Sequence, residues 1–283
     1  MTIRTVLITG CSSGIGRALT NEFLQQGYKV YASARSVSAL DDLHHPHLIK
    51  LTLDVNQPAD IAAAMAAIEK DSGYLDILVN NAGYAAMGPV LELSPEKLQQ
   101  QFATNVFAPI ALTQACVPLL RKDNQDQAAQ VVNIGSISGI VTTPFSGAYC
   151  ATKSALHSLS DALRMELKPF NIDVITVQPG GIESEFGNSS LKSLANLISS
   201  DSLYAAVTDK IEARAMASQQ NPTPAAELAR ILVTQLRNNP KAELPIGNGS
   251  FLLPLLKRIV STKMLDKILS KKFGLNLLAV KTK

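Results

Sequence analysis

Short runs of apolar and β-branched residues recur along the 283-residue chain, and a longer segment of helical composition follows most of them. Most of the runs are nearly continuous in apolar residues, which is typical of strands that are buried on both faces of a sheet. The pattern predicts seven strands, of which the last is the weakest: 5–9, 29–33, 48–53, 77–80, 130–134, 173–177 and 243–246. Between them it predicts helices, for example over 59–70 and 154–167.

Strands that alternate with helices at this spacing form right-handed βαβ units, in which neighbouring strands are parallel and helices cover both faces of the sheet. The predicted fold class is therefore α/β: a Rossmann doubly wound parallel sheet of about seven strands with helices on both faces. No linker or internal repeat divides the chain. We expect a single domain over residues 1–283, a length that suits one α/β domain.

Two regions depart from this alternation. Residues 181–223 separate the sixth strand from the next strong helix, whereas such loops usually have about 2–6 residues, so we expect a lid over the substrate. Residues 250–283 predict two short amphipathic, basic helices that break near Ser261 and end at Gly274. This tail can pack over the substrate cleft or a second subunit, and peripheral contact with a membrane is the alternative.

The composition excludes several classes of protein. With 46% hydrophobic and 17% charged residues, 16 glycines and 14 prolines, the chain is neither collagen-like nor disordered. Cys11, Cys116 and Cys150 are far apart, so neither a disulfide framework nor a cysteine zinc site is expected. The histidines within residues 44–47 lack an acid or cysteine to complete a site, and we expect no metal.

The cysteine usage, the lack of a targeting segment and the lack of an apolar run of about 20 residues favour a cytoplasmic protein. The net charge of +3 is unevenly distributed. Residues 257–283 carry eight Lys or Arg and one Asp, a charge of +7, which leaves −4 for the rest of the chain. A nucleic-acid-binding core would carry a basic stripe along the folded body, so we expect no nucleic-acid partner.

The first predicted strand runs into a glycine-rich turn, residues 9–16, and a helix follows at once. Glycines allow a tight turn and let the backbone approach a phosphate closely, while the helix N-terminus offers unpaired N–H groups. Between the first strand and the first helix of a parallel sheet, such a turn predicts a dinucleotide site. The contacts would come from Gly10, Ser12, Ser13, Gly14, Ile15 and Gly16.

The residues after the second and third strands bear on the choice of cofactor. Residues 31–35 read Tyr-Ala-Ser-Ala-Arg, without the acid that would bind the ribose 2′-hydroxyl of NAD. Arg35 can contact the 2′-phosphate of NADP instead, so NADP(H) is the preferred cofactor and NAD the alternative. Asp54 and Val55 follow the third strand. Asp54 can bind the adenine amino group, or Asp54 or Asn56 can cap the next helix.

Two further motifs, Asn80-Asn81-Ala82-Gly83 and Tyr149-Cys150-Ala151-Thr152-Lys153, make the chain resemble a known family. Together with the glycine turn they resemble the short-chain dehydrogenases/reductases, in the shorter single-domain form, over residues 5–180. The glycine turn and residues 31–35 are most similar to the 17β-hydroxysteroid dehydrogenase and retinol dehydrogenase-like branch. The resemblance implies an oxidoreductase with a nicotinamide cofactor, and a homo-oligomer, either a dimer or a tetramer.

Tyr149 and Lys153 lie four residues apart and hence on one face of a helix. A free phenol has a pKa of about 10, but a nearby ammonium and the positive ring of an oxidised nicotinamide both favour the phenolate. Tyr149 can then donate a proton to a carbonyl oxygen or remove one from an alcohol. The resemblance implies that Lys153 also holds the hydroxyls of the nicotinamide ribose.

The resemblance implies roles for several other residues. Ser136, just after the fifth strand, orients the substrate carbonyl, with Ser138 as a rival. Asn105 holds a water that links Lys153 to solvent as a proton relay. Ser184 stands where the family usually has a threonine and keeps the hydroxyl for the carboxamide. The cofactor contacts outside the glycine turn are implied for Asn81, Ala82, Gly83, Tyr149, Lys153, Pro179, Gly180, Ile182 and Ser184, beside Arg35, Asp54 and Val55.

The sequence therefore predicts an NADP(H)-dependent carbonyl reductase or alcohol dehydrogenase that interconverts a ketone or aldehyde and an alcohol. The many apolar residues of the 181–223 lid favour a small apolar substrate. Two alternatives stay open. One is a dinucleotide-binding sensor without turnover, and the other is a membrane-surface protein that uses its basic tail.

Overall fold

The computed structural model describes residues 3–121, 127–195, 197–238 and 240–278. In this part of the chain seven strands are present: β1 Thr5–Ile8, β2 Lys29–Ala34, β3 Leu48–Thr52, β4 Ile77–Asn80, β5 Ala129–Ile134, β6 Ile172–Pro179 and β7 Glu243–Ile246. They form one parallel sheet in the order β3-β2-β1-β4-β5-β6-β7. The predicted doubly wound α/β sheet is confirmed. From β1 to β3 the chain adds strands toward one edge of the sheet, and from β4 onward it adds them toward the other edge.

Helices cover both faces of this sheet. The described helices are α1 Gly14–Gln25, α2 Pro58–Asp71, α3 Pro95–Phe102, α4 Ala108–Leu120, α5 Gly147–Leu167, α6 Phe186–Leu194, α7 Thr208–Ala215, α8 Ala225–Arg237, α9 Leu252–Ile259 and α10 Thr262–Lys272. Helix α5 contains the predicted segment 154–167 and also residues 147–153, so Tyr149 and Lys153 lie on one helix, as predicted. A π-helical turn, Ala103–Phe107, joins α3 to α4.

Alternate residues of a strand pack on opposite faces of the sheet. In β1, Val6 and Ile8 belong to the core beneath α1 and α8, whereas Leu7 lies in the core formed with α2, α4 and α5. All three side chains are fully buried. Because helices cover both faces, the central strands need apolar residues at every position, which explains why their sequence does not alternate with polar residues.

The joined α3–α4 helix, Pro95–Leu120, is the one described helix that is long and apolar enough to cross a membrane, with a hydropathy of 1.4. Half of its most apolar window is buried inside the fold. Leu112 and Cys116, for example, pack in the core beneath the sheet. Its apolar character is therefore accounted for by packing against β4 and β5, as in other core helices of α/β folds.

The predicted lid, residues 181–223, contains α6 and α7 and is held at its base. Ile182 and Thr223 pair as an isolated β-bridge, so the two ends of the lid meet. Gly181 forms a second bridge with Asn248, which follows β7. The lid is therefore a loop that leaves the carboxyl end of the sheet and returns to it, and its helices lie above that edge.

The tail forms two helices, as predicted, with Ser261 before α10 and a left-handed Gly274 after it. Phe273 is buried in an apolar cluster with the lid residues Val207 and Ile211. The end of α10 therefore packs against the lid. Helix α9 behaves differently, since several of its apolar side chains are exposed: Leu252, Leu255 and Ile259, together with the preceding Phe251.

Candidate active site

A cavity of about 790 Å³ lies at the carboxyl ends of the strands, beside the point where the winding of the sheet reverses. Ligands of open α/β sheets bind at this position. Most of the predicted site residues line it: Gly10, Ser12, Ser13, Gly14, Ile15, Arg35, Asp54, Val55, Asn81, Ala82, Gly83, Ser136, Tyr149, Lys153, Pro179, Gly180, Ile182 and Ser184. Two predicted residues, Gly16 and Asn105, lie behind its wall.

The glycine turn forms the floor of one end of the cavity. Gly10 and Gly14 have positive φ angles of 71° and 55°, which favour glycine. A side chain at Gly16 would clash with the carbonyl oxygen of Gly10, so this residue allows α1 to start close to the turn. The Ser13 side chain forms no cap hydrogen bond at the start of α1. The first N–H groups of the helix are therefore directed at the cavity, where a phosphate would be stabilised.

Thr9 is a structural residue of the site that the sequence did not single out. Its hydroxyl oxygen accepts hydrogen bonds from the backbone N–H groups of Asn81 and Ala82, both at 3.0 Å. The Asn81 amide in turn donates to the Thr9 carbonyl at 2.8 Å and to the Gly10 carbonyl at 3.1 Å. The Asn81 side chain therefore ties the end of β4 to the glycine turn, and it shapes the floor of the cavity.

Arg35 and Asp54 lie at the end of the cavity next to β2 and β3. Arg35 is exposed, and it forms no ion pair within the part of the chain that the structure describes. The Asp54 carboxylate accepts a hydrogen bond from the Asn56 backbone at 3.0 Å. The capping interpretation was wrong for both Asp54 and Asn56, because α2 begins one residue after Gln57, whose side chain forms no cap.

Tyr149, Lys153 and Ser136 meet in the middle of the cavity. All three are buried, and the Lys153 Nζ lies 5.8 Å from the centre of the Tyr149 ring. The Lys153 ammonium donates to the Ile134 carbonyl at 2.7 Å, which holds it at the end of β5. The Ser136 hydroxyl oxygen accepts a hydrogen bond from the Ser138 N–H at 3.0 Å, and the same hydroxyl is a hydrogen-bond partner of the Tyr149 phenol.

Burial shifts both titratable groups. It raises the pKa of Tyr149 to about 12, although the hydrogen bond from the neighbouring Ser136 hydroxyl lowers this pKa. It lowers the pKa of Lys153 to about 8. Without a ligand Tyr149 is therefore a neutral phenol, which can donate a proton, and further positive charge is needed to favour its phenolate.

Asn105 lies behind the cavity, in the π-helical turn between α3 and α4. Its amide nitrogen donates to the Tyr84 carbonyl at 2.8 Å and to the Thr152 hydroxyl at 3.1 Å, and its oxygen accepts from the Tyr84 N–H. The side chain therefore connects this turn to α5, one residue before Lys153. The water relay through Asn105 stays a prediction.

Two further residues near Tyr149 lie outside the sequence prediction. His157 accepts a hydrogen bond on Nε2 from the Ser136 backbone N–H at 3.3 Å. Burial, and the charge of Lys153, lower its pKa to about 4. Its spacing of four residues from Lys153 on α5 could have placed it on the same helix face. The other residue, Arg214 of α7, lines the cavity from the lid, and no local sequence signal marks it.

The comparisons with known proteins agree with this geometry. The model of the family described as short chain dehydrogenase matches residues 4–194 of this chain. The protein belongs to the short-chain dehydrogenase family. It is therefore an oxidoreductase that uses a nicotinamide dinucleotide, as the resemblance implied.

Similar short-chain dehydrogenases cover almost the whole chain. A probable short-chain type dehydrogenase/reductase of Helicobacter pylori, VdlC, is 33% identical over 93% of this chain and 95% of its own. The NADPH-dependent 3-dehydrocapnine reductase of Ornithobacterium rhinotracheale is 29% identical over 95% of this chain and 97% of its own. The crystal structure of a short-chain dehydrogenase from Streptomyces avermitilis, 28% identical, matches with a TM-score of 0.77 over 100% and 99% of the two chains.

Proposed function

We propose that this short-chain dehydrogenase is an NADP(H)-dependent carbonyl reductase or alcohol dehydrogenase that interconverts an apolar ketone or aldehyde and an alcohol. Tyr149 is its general acid or base. The observation that carries the proposal is that one cavity joins the glycine turn to Tyr149, Lys153 and Ser136. A site for a dinucleotide and a group able to transfer a proton are therefore continuous.

The residues of the turn fit a dinucleotide. A Cβ added at Gly10 would lie 3.0 Å from the Ala82 Cα, and one added at Gly14 would lie 2.9 Å from the Ser184 Cβ. The lack of a side chain at both positions lets the turn pack closely against Ala82 and Ser184 while it lines the cavity. The exposed Arg35, with no acid at the end of β2, supports NADP(H) over NAD. One relative, the O. rhinotracheale reductase, is NADPH-dependent by its name.

When bound, the nicotinamide supplies or accepts the hydride. The chain's own residues position the substrate oxygen and move its proton. The O–H of Ser136 donates to the carbonyl oxygen and orients it. Tyr149, held as a neutral phenol by burial, donates its proton to the same oxygen as negative charge develops there.

Lys153 supports the opposite direction of the reaction, the oxidation of an alcohol. Its ammonium, fixed by the Ile134 carbonyl at 2.7 Å, favours the phenolate form of Tyr149 by its positive charge. A phenolate at Tyr149 removes the proton from an alcohol. The pKa of Lys153 is lowered to about 8, so the ammonium is present at neutral pH and is lost in alkaline solution.

The surroundings of Tyr149 support an apolar substrate. Its ring lies 5.3 Å from that of Phe186 and belongs to a cluster formed by the lid, the tail and the 85–87 segment. The buried members of this cluster are Ala85, Met87, Phe145, Tyr149, Leu194, Val207, Ile211, Ala215 and Phe273. Such walls favour the burial of a hydrocarbon portion.

The test is turnover of a matched panel of ketones, aldehydes and secondary alcohols, followed by the absorbance of NADPH or NADH. We expect oxidation of NADPH by apolar ketones, slower reaction with NADH, and poor reaction with small polar carbonyls. Tight NADPH binding without turnover of any member would contradict the proposal and favour the sensor alternative.

A further inference from the structure

Arg214 of α7 brings a guanidinium to the part of the cavity that holds Tyr149. It lines the cavity, and its guanidinium carbon lies 5.8 Å from the centre of the Phe273 ring. Phe273 and Tyr149 belong to the same apolar cluster. A partly buried cation in such a cluster is costly unless a polar or charged partner compensates it.

The partners of Arg214 are neutral hydroxyls. Its Nε donates to the Thr143 Oγ1 at 2.9 Å, and its Nη2 donates to the Ser146 Oγ at 3.0 Å. These bonds use two of the five N–H groups of a guanidinium. Within residues 3–121, 127–195, 197–238 and 240–278, no Asp or Glu forms an ion pair with it.

The described carboxylates that line the cavity, Asp54 and Glu185, form no ion pair with Arg214. Asp54 follows β3, at the opposite end from the lid, and its carboxylate accepts from the Asn56 backbone. Glu185 is exposed at the start of α6 and accepts a hydrogen bond from Asn188 at 2.7 Å. A second cation, Lys272, also lines the cavity, and its Nζ lies 5.8 Å from the Phe273 ring. The Phe273 side of the cavity is therefore positively charged.

Thr143 and Ser146 immediately precede α5, which carries Tyr149 in its first turn. The contacts of Arg214 therefore fix it next to the proton-transferring group, away from the glycine turn where the pyrophosphate would bind. Burial lowers the pKa of Arg214, whereas the neighbouring Tyr149 and Cys150 raise it. An anionic ligand would remove the remaining cost of burying this charge.

We propose that Arg214 binds a carboxylate on the substrate, so that the natural substrate is an oxo acid, or the matching hydroxy acid, with an apolar chain. The free N–H groups of the guanidinium form the planar fork that suits a carboxylate. The apolar cluster holds the chain, and the carbonyl lies at Ser136 and Tyr149. This inference rests on the proposed carbonyl reduction and adds a charge requirement to it.

The test compares straight-chain oxo fatty acids, with the keto group at varied positions, with their methyl esters. For at least one keto position, we expect kcat/KM of the acid to exceed that of its ester by about tenfold or more, which corresponds to about 1.4 kcal/mol. Arg214→Gln should lower the ratio of kcat/KM for the acid to kcat/KM for its ester to about one. Arg214→Lys should keep part of the preference, because it retains the charge but loses the fork.

The matched control is Arg164→Gln, since Arg164 lies on the outer side of α5 and pairs with Asp161 at 3.1 Å. It should leave the preference of the wild-type enzyme unchanged. Equal kcat/KM for acids and esters in the wild-type enzyme would overturn the inference. So would an equal loss on both in Arg214→Gln, which is the result expected if Arg214 only holds the lid to α5.

Calorimetry keeps the two proposals distinguishable. Binding of the same acids and esters to the NADPH-loaded enzyme reports on Arg214 without turnover. Tighter binding of acids that is lost in Arg214→Gln supports the anion site even if no ketone is reduced, in which case the proposed reaction fails alone. Equal binding of acids and esters overturns the anion site whatever the kinetics show.

Discussion

His157 shows how a buried side chain outside the motifs supports the catalytic loop. Because the Ser136 N–H donates to its Nε2, this nitrogen must be unprotonated. Side chains at Gly135 and Gly139 would clash with the imidazole, so the loop closes tightly around it. Its pKa, lowered to about 4 by burial and by Lys153, fits a neutral ring.

This neutral histidine makes stability depend on pH. Above pH 6.5 the imidazole is neutral in both states. Between pH 6.5 and about 4 the unfolded chain binds a proton that the folded protein does not, so the free energy of unfolding falls as the pH falls. The shift corresponds to about 3 kcal/mol. We expect His157→Gln to lose less stability over this range than the wild-type protein in urea unfolding.

The exposed His44 supplies the control for this experiment. His44→Gln should retain the acid sensitivity of the wild-type protein, since the His44 side chain is exposed and lies outside the Ser136 loop. Parallel curves of unfolding free energy against pH for His157→Gln and wild type would show that another group is responsible.

Arg35 tests the choice of cofactor at the level of one side chain. Since only NADP carries the 2′-phosphate, Arg35→Ala should weaken NADPH binding by about tenfold and NADH binding by less than about twofold. Fluorescence titration with each cofactor measures the two dissociation constants. Arg17 differs from Arg35, because its guanidinium already forms an ion pair with the Asp42 carboxylate at 2.7 Å. Equal losses for both cofactors would make Arg35 an ordinary surface residue.

At the scale of elements, α10 and the lid close one wall of the cavity together. Leu269 and Phe273 line the cavity, and Phe273 packs against Val207 and Ile211. Helix α9 contacts the segment that follows the Ser136 loop, because the Lys257 ammonium donates to the Ile140 carbonyl. The tail therefore contributes to substrate binding, whereas the glycine turn lies at the other end of the site.

We expect Phe273→Ala to raise KM for apolar ketones by about tenfold, because it removes a buried ring from the wall of the lid. The dissociation constant of NADPH should change less than about twofold, since the apolar cluster around Phe273 has no residue of the glycine turn. Steady-state kinetics and cofactor titration measure the two effects. Truncation after Gly249 should act in the same direction and more strongly.

Phe251→Ala is the matched control, because Phe251, which precedes α9, is 71% exposed. It should leave KM within about twofold of the wild-type value. An unchanged KM in Phe273→Ala, or an equal loss of NADPH affinity, would contradict a role of the tail in substrate binding.

At the scale of the whole molecule, local patterns were enough to predict the sheet and the motif residues. The seven runs predicted as strands are strands of one sheet with helices on both faces, and the glycine turn, residues 81–83 and Ser136 converge because the parallel strands before them end at one edge. Contacts between distant segments had no such pattern. Arg214 meets Thr143 across 71 residues of sequence, and the π-helical turn at Asn105 left no periodic signal.

Proton transfer by Tyr149 is tested most directly by the Tyr149→Phe variant, measured for both turnover and NADPH binding in the same preparation. The change removes one oxygen from a buried ring and leaves the glycine turn and Lys153 in place. Tyr74→Phe is the matched control, since the Tyr74 hydroxyl donates to the Ile3 carbonyl at 2.8 Å, away from the cavity.

We expect kcat/KM of Tyr149→Phe to fall by about 1000-fold or more, within the range of general acid catalysis, while the dissociation constant of NADPH changes less than about threefold. Tyr74→Phe should retain wild-type turnover. A Tyr149→Phe enzyme that keeps turnover within about tenfold of wild type, a barrier change below about 1.4 kcal/mol, would contradict the assignment of Tyr149 as the proton donor.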